Sequence, residues 1–269
     1  MEKKTVIRNK GENALQEGKD IRIVILSAGK GTRMKSDLAK VLHEVAGRPM
    51  LEYVLDTAEK VGAAERLVVV GHQAERVEAV VGGRGKCVLQ APQQGTGHAV
   101  MCARPFFQGS AGDLLVLYGD MPLISEKTVR AVLAAHGGGG NSATVLTAAL
   151  EDPAGYGRII RGPDGRFERI VEHKDATEAE RLVKEVNTGI YCFRIPDLLE
   201  ALDELTNDNA QGEYYLTDTV ELLNRRGRKV GAVVLEDPLE AEGINTVEQL
   251  ARAEELLLAR VKGRKAGRG

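Results

Sequence analysis

Residues 21–34 read IRIVILSAGKGTRM: a near-continuous apolar run turns directly into Ser27, two glycines, Gly29 and Gly31, and two cations, Lys30 and Arg33. A run without polar alternation reads as a strand buried on both faces, the habit of parallel sheets covered by helices. Glycines at the carboxyl end of such a strand let backbone N–H groups approach an anion closely, and the cations add charge. The residues alone leave a second reading open, a glycine turn with solvated basic side chains. Neither standard phosphate cradle fits. A Walker A loop would need Gly where Val24 stands and Ser or Thr where Gly31 follows Lys30, and the dinucleotide fingerprint would need Gly at Met34.

Outward from this stretch, short β-branched runs alternate with helical patterns. Strands are expected at 67–71, 87–90 and 114–118, and helices at 50–61, 74–81, 97–107 and 125–136. Such βαβ repetition implies an α/β fold of Rossmann-like character, a mostly parallel, mixed sheet with helices on both faces. The glycine tract 137–140 is expected to break the rhythm. Beyond it, GRIIR, the turn GPDG and FERIVE read as a hairpin, so a small antiparallel extension is expected there, where a substrate subsite could be added. Further on, 186–193 and 229–235 read as strands and 214–225 as a helix. Thr246 and Gln249 form a capping box ahead of LARAEELLLARV. The organisation expected is a flexible tail at 1–20, one domain at 21–245, and a terminal helix with a frayed basic tail at 246–269.

The composition narrows the class. Lys plus Arg number 37 against 39 Asp plus Glu, a formal charge of −2, so no global field recruits nucleic acid or an anionic membrane. Any phosphate must be caught locally. The three cysteines, Cys87, Cys102 and Cys192, form no C-x-x-C pair, which fits a reducing cytoplasm better than a disulfide framework or zinc site. No run approaches a membrane span of roughly 18 apolar residues. His43, His98 and His173 lack ligand spacing and read as structural or surface residues.

Six further stretches extend the opening motif: VLQAPQQGTGHAV, LYGDMPLI, GYGRIIR, IVEHKDA with NTGIY, NAQGEYYLTD, and EGINTVEQL. In this order, over about residues 21–260, the chain resembles the sugar-nucleotide pyrophosphorylases. Among them it is similar to the uridylyltransferase domain of the bacterial bifunctional enzymes that make UDP-N-acetylglucosamine. The resemblance implies a nucleotidyltransferase fold whose antiparallel extension binds sugar. It also implies magnesium-dependent uridylyl transfer from UTP to N-acetylglucosamine 1-phosphate, with release of pyrophosphate.

That chemistry asks for little acid–base help, because the second pKa of a phosphate is about 6 and the nucleophile is already largely ionised at neutral pH. Positioning and charge neutralisation are what it needs. The resemblance implies Arg33, Lys40 and Asp120 as catalytic residues, with Asp120 and Asn245 holding magnesium. It sets the nucleotide against Leu26, Ser27, Ala28, Gly29 and Lys40, with Gln90, Gly95 and Thr96 reading uracil. The sugar falls to Tyr118, Gly119, Gly157, Glu172, Asn187 and Asn245, while Tyr156 is read as ordinary packing. Read singly, Asp120 is also a turn residue before Pro122, Asn245 a helix-boundary amide, and Gln90 a strand-end polar residue.

Two departures are visible: Ala39 where the family commonly has Pro, and Ser27 where it has Ala. No β-helix of hexapeptide repeats follows, so acetyl transfer is not expected of this sequence, and the oligomeric state stays open. A nucleotidyltransferase with another base or sugar, or a non-catalytic nucleotide-sugar-binding protein, remains an alternative.

Overall fold

A computed structural model describes residues 21–266. The expected tail at 1–20 and the last three residues lie outside the described residues. The chain begins with β1 (Ile21–Leu26), the small hairpin β2 (Glu44–Val45) and β3 (Arg48–Pro49), α1 (Met50–Val61), β4 (Glu65–Val70) and α2 (Ala74–Val81). It continues through β5 (Lys86–Leu89), α3 (Thr96–Ala103), β6 (Asp113–Tyr118) and α4 (Glu126–Gly139). Then come β7 (Ala143–Ala149), the hairpin β8 (Arg158–Arg161) and β9 (Phe167–Val171), the single turn α5 (Glu178–Arg181) and β10 (Glu185–Arg194). Last are α6 (Ile195–Leu202), α7 (Asp218–Arg225), β11 (Val230–Val234) and α8 (Val247–Ala266).

The main sheet has the order β11-β7-β10-β6-β1-β4-β5, with β10 antiparallel to both its neighbours and the other pairs along this path parallel. This is the mixed, mostly parallel sheet expected. Both faces are dry. Ile23, Ile25, Val68, Val70, Leu115 and Leu117 pack with α1, α2 and α4, whereas Val24, Leu26, Leu67, Val69, Leu114 and Val116 pack with α3, α6 and α7. The alternation explains the opening run: each residue of β1 from Ile23 onward is buried on one face or the other.

The topology also locates the crevice. From β1 the chain moves outward to β4 and β5, then returns to lay β6 on β1's other side. Leu26 pairs with both Val69 and Tyr118, so β1, β4 and β6 end level. The glycine loop and the Tyr-Gly-Asp turn therefore leave the sheet side by side, bridged by the Gly119 N–H to the Leu26 carbonyl at 3.0 Å. Ligands of open α/β sheets bind at such a reversal, beyond the carboxyl ends of the strands.

Several expectations need correction. The glycine tract does not end the parallel rhythm. Gly137 to Gly139 complete α4, Gly140 caps it in the left-handed region, and β7, unforeseen from the sequence, follows as a buried strand parallel to β11. The helix expected at 214–225 starts only at Asp218. The residues before it are extended and zipped to the 94–97 segment: Tyr214 N–H to the Gln94 carbonyl at 2.8 Å, Gly97 N–H to the Tyr214 carbonyl at 2.8 Å, and Leu216 N–H to Thr96 Oγ1 at 3.1 Å. α6 was also unforeseen. The helix after Thr246 continues to Ala266, so the stretch expected to fray from Lys262 is helical through that residue. Its capping box is present: Thr246 Oγ1 accepts from the Gln249 N–H at 3.2 Å, and Gln249 Oε1 accepts from the Thr246 N–H at 3.1 Å.

The hairpin β8–β9 stands where the sequence put it and joins the sheet through β10. α8 docks on a satellite core of Val45, Met50, Leu123, Ile244 and Ala253, pinned by Arg260 Nη1 to the Leu123 carbonyl at 2.8 Å. That docking brings residues 243–245 back over the end of β6. Among the described residues no helix is long and apolar enough to cross a membrane.

Candidate active site

The loop after β1 is held by its backbone. Ser27 N–H donates to the Val69 carbonyl at 2.9 Å, and the Ala28 carbonyl accepts from His72 N–H at 3.3 Å and Gln93 Nε2 at 2.9 Å. Gly31 then takes a left-handed conformation, φ +69°, and a methyl group there would lie 2.7 Å from Lys40 Cβ. Glycine at this point is what lets the loop fold down on Lys40. Lys30 is exposed and makes no hydrogen bond or ion pair among the described residues, whereas Lys40 is half-buried.

Four residues expected to handle phosphate and metal meet at this point. Lys40 Nζ pairs with the Asp120 carboxylate. The same ammonium donates to Asn245 Oδ1 at 3.0 Å, and Arg33 Nη2 donates to that oxygen at 2.8 Å. Asp120 is only 7% exposed, yet it keeps a charged partner. Its carbonyl accepts from the Ile244 N–H at 2.9 Å, which ties the end of β6 to the segment carrying Asn245. Gly243 crosses above: a methyl there would lie 3.7 Å from Asp120 Oδ2 and 3.8 Å from Asn245 Nδ2.

An anionic and a neutral oxygen thus converge on one positive centre, the Lys40 ammonium. That donor set, few protein oxygens of hard character, fits a divalent metal ion. Asp120 and Asn245 are the residues that would hold it.

Beside this cluster lies a cleft of about 240 Å³ lined by Leu26, Ser27, Ala28, Gly29, Lys40, Gln90, Gly95, Thr96, Tyr118 and Asp120. The structure thereby brings together every residue expected to touch the nucleotide. Gln90, 4% exposed, follows β5 and hangs from the Val70 carbonyl by its N–H at 2.8 Å. Its Nε2 donates to the Gly95 carbonyl at 2.9 Å. Ser27 Oγ is buried without a hydrogen-bond partner among the described residues, pressed against Gly119.

The residues expected to meet the sugar fall into two groups. Tyr118 lines the 240 Å³ cleft and Gly119 follows it, against Ser27. Gly157, Glu172 and Asn187 cluster at the hairpin, where a methyl on Gly157 would lie 3.5 Å from Glu172 Oε2 and 3.6 Å from Asn187 Cβ. Asn187 N–H donates to the Gly157 carbonyl at 2.9 Å, and its Oδ1 accepts from the Gly189 N–H at 3.0 Å. Glu172 opens on a separate cavity of about 500 Å³, shared with Asp175, Tyr215 and Asp218, not on the 240 Å³ cleft. Tyr118 stands between: Glu172 and Asp120 both raise its phenol, after burial as the larger cause and against a hydrogen bond with Thr96. Burial also pushes the Glu172 carboxyl up, opposed by a hydrogen bond from Thr217. Asp218 is pushed up to about 6 by burial and then by Glu172. Tyr156 packs on the core as expected, and its phenol also feels Glu242, Asp120 and Arg33.

Sequence reading missed the residues that hold the others in place. Gln93 clamps the Ala28 carbonyl, Gln73 Oε1 accepts from the Ala39 N–H at 3.1 Å, and Glu213 lines the cleft. QQGTG carries Gln93, QGEYY carries Glu213 and GHQAERV carries Gln73, but a single surface glutamine or glutamate has no local signature.

Residues 23–218 match the family described as the MobA-like NTP transferase domain. The chain is 50% identical over 238 residues to the bifunctional protein GlmU of Acetivibrio thermocellus, covering 88% of this chain and 52% of that protein. It is 51% identical over 242 residues to the bifunctional protein GlmU of Pelotomaculum thermopropionicum, covering 90% and 53% respectively. The chain thus spans about half the length of these curated relatives. Among solved structures, a UDP-glucose pyrophosphorylase complexed with UDP-glucose superposes with a TM-score of 0.72 at 16% identity, covering 89% of this chain and 99% of that one. That likeness concerns the fold.

Proposed function

The chain belongs to the MobA-like NTP transferase domain family, and from that premise we propose that it transfers a uridylyl group from UTP to N-acetylglucosamine 1-phosphate, giving UDP-N-acetylglucosamine and pyrophosphate. The observation that carries this reading is the meeting of Arg33, Lys40, Asp120 and Asn245 at the mouth of the cleft, where β1 and β6 end. A binding protein would need the cleft alone. A transferase must also hold two polyanions together and stabilise charge growing on the α-phosphate.

In this reading the uracil enters beside Gln90, Gly95 and Thr96, and the triphosphate lies along the backbone of Leu26 to Gly29. The phosphate of the sugar attacks the α-phosphorus in line, and pyrophosphate leaves on the side of Arg33. Magnesium, held by Asp120 and Asn245, would supply charge neutralisation at the α-phosphate when bound. Lys40 answers the same charge as a compact ammonium, and Arg33 offers a planar fork to the departing phosphates. The sugar is assigned to the hairpin, where Gly157, Glu172 and Asn187 adjoin one another, and there the Glu172 carboxylate, which also borders the 500 Å³ cavity, would accept from hydroxyls. What supports uracil and an N-acetylhexosamine is the run of motifs that resembles the uridylyltransferase domain, VLQAPQQGTGHAV for the base and NTGIY for the sugar.

The experiment is pyrophosphate release measured over a matrix of nucleoside triphosphates and sugar 1-phosphates, with magnesium and with a chelator. Release greatest for UTP with N-acetylglucosamine 1-phosphate, and abolished by the chelator, is expected. No release in any cell of the matrix removes the proposal.

A further inference from the structure

Gln90 Nε2 touches two groups, the Gly95 carbonyl at 2.9 Å and His98 Nδ1 at 3.2 Å. A carbonyl can only accept, so the end of the amide facing Gly95 is the NH2 group. The same nitrogen faces His98, so Nδ1 must accept there, and the ring carries its proton on Nε2. That Nε2 faces Cys102 Sγ at 3.8 Å. The ring is further braced by Tyr214, at 6.3 Å between centroids. Tyr214 belongs to the extended segment that closes this wall of the cleft through its bonds to Gln94 and Gly97.

Both N–H groups of Gln90 are therefore spent inside the protein. Its Oε1 takes no hydrogen bond among the described residues, and it is the end of the amide left for the cleft that Gln90 lines. A free amide is ambiguous, since rotation about its last bond offers either a donor or an acceptor. This one is not.

We infer that His98 is a specificity-determining positioning residue: by accepting from Gln90 it locks the amide with its oxygen toward the base, so that the cleft selects a pyrimidine carrying a ring N–H over cytosine. The inference rests on the uridylyl-transfer reading. An acceptor-only amide complements the N3–H of uracil and faces the N3 lone pair of cytosine with a second lone pair. A mispaired polar group of this kind rejects the wrong base more strongly than a missing contact does. Because Gly95 supplies a second anchor, removal of His98 weakens the lock without abolishing it.

The test compares kcat/KM for UTP and CTP in the wild type, H98L and H98N. Asparagine can place Oδ1 near the position of the histidine Nδ1, so it restores the acceptor. The UTP-to-CTP ratio is expected to fall roughly five- to tenfold in H98L, the worth of one neutral hydrogen bond. It should return toward the wild-type value in H98N, with KM for the sugar phosphate unchanged in both. An unchanged ratio in folded H98L, or H98N behaving as H98L does, overturns the inference. A readout that needs no variant is nitrogen-15 NMR of the wild-type ring: protonation on Nε2 with a bare Nδ1 is expected, and the opposite tautomer overturns it. If the wild type turns over no nucleotide, the functional reading falls. The inference is then decided by calorimetric binding of UTP against CTP in the same three proteins.

Discussion

Gly95→Ala should damage this protein far more than Gly29→Ala, although both glycines line the same cleft. Gly95 has φ +105° and ψ 175°, a region essentially reserved for glycine, where another residue costs on the order of 1–3 kcal/mol. A methyl group there would also lie 2.5 Å from the Tyr214 carbonyl and 2.9 Å from the Tyr214 nitrogen. Those are backbone atoms of the zipped segment, so the segment must move. The bonds at stake are Tyr214 to Gln94 and Gly97 to Tyr214, both 2.8 Å, each worth about 1 kcal/mol. Together the loss comes to about 3–5 kcal/mol, a large share of the roughly 5–15 kcal/mol that stabilises a domain. A methyl on Gly29 meets nothing within 4 Å. Its backbone needs no positive φ, so Gly29→Ala should stay within about 1 kcal/mol of the wild type, helped by a stiffer unfolded chain. Urea unfolding followed by circular dichroism gives both numbers. A loss below about 1 kcal/mol in Gly95→Ala, or equal losses in the two variants, would refute the claim that the 94–97 and 214–216 segments form one wall.

Other outcomes follow from single groups. Ser27→Ala removes a buried hydroxyl that has no partner among the described residues, so the melting temperature should hold or rise by the worth of about 1 kcal/mol, where an ordinary buried serine would lose stability. Lys40→Met leaves the Asp120 carboxylate buried without its cation. Stability without added metal should fall by about 1–3 kcal/mol, and adding Asp120→Asn to Lys40→Met should recover most of it in a double-mutant cycle. Asp218 is raised to about 6 in the folded state from an ordinary 3.8. The folded protein therefore holds this proton more tightly than the unfolded chain, and stability falls as pH rises between these values. Asp218 is partly solvated, so the effect is screened to about 1 kcal/mol. Asp218→Asn should be more stable than the wild type at pH 8, with the gap closing by pH 4, as thermal unfolding across pH would read.

Much of the fold was legible because its physics is local. An apolar run such as 21–26 can be satisfied only between two helical layers, and the Thr246–Gln249 box announces its helix in four letters. β7 escaped because small and hydroxylated residues, Ala143, Thr144 and Thr147, carry neither alternation nor bulk, and the glycines before it suggested a break. The 214–217 segment was misread as helix because its partner lies more than a hundred residues away, at 94–97. The same holds at the site. Asp120, Lys40 and Arg33 could be picked out from motifs, but only tertiary structure shows one Asn245 oxygen receiving both cations. The part played by His98 was invisible for a related reason: an acceptor four residues from Cys102 and eight from Gln90 has no spacing that distinguishes it from a packed histidine.

The most direct test of the account follows the atoms. UTP labelled at its α-phosphorus is incubated with N-acetylglucosamine 1-phosphate and magnesium, beside a parallel reaction labelled at the γ-phosphorus. The site described here predicts the α-label in a UDP-sugar, the γ-label in pyrophosphate, and neither transfer in folded Asp120→Asn. Label from the γ-phosphorus on the sugar, or undiminished transfer by Asp120→Asn, would contradict it.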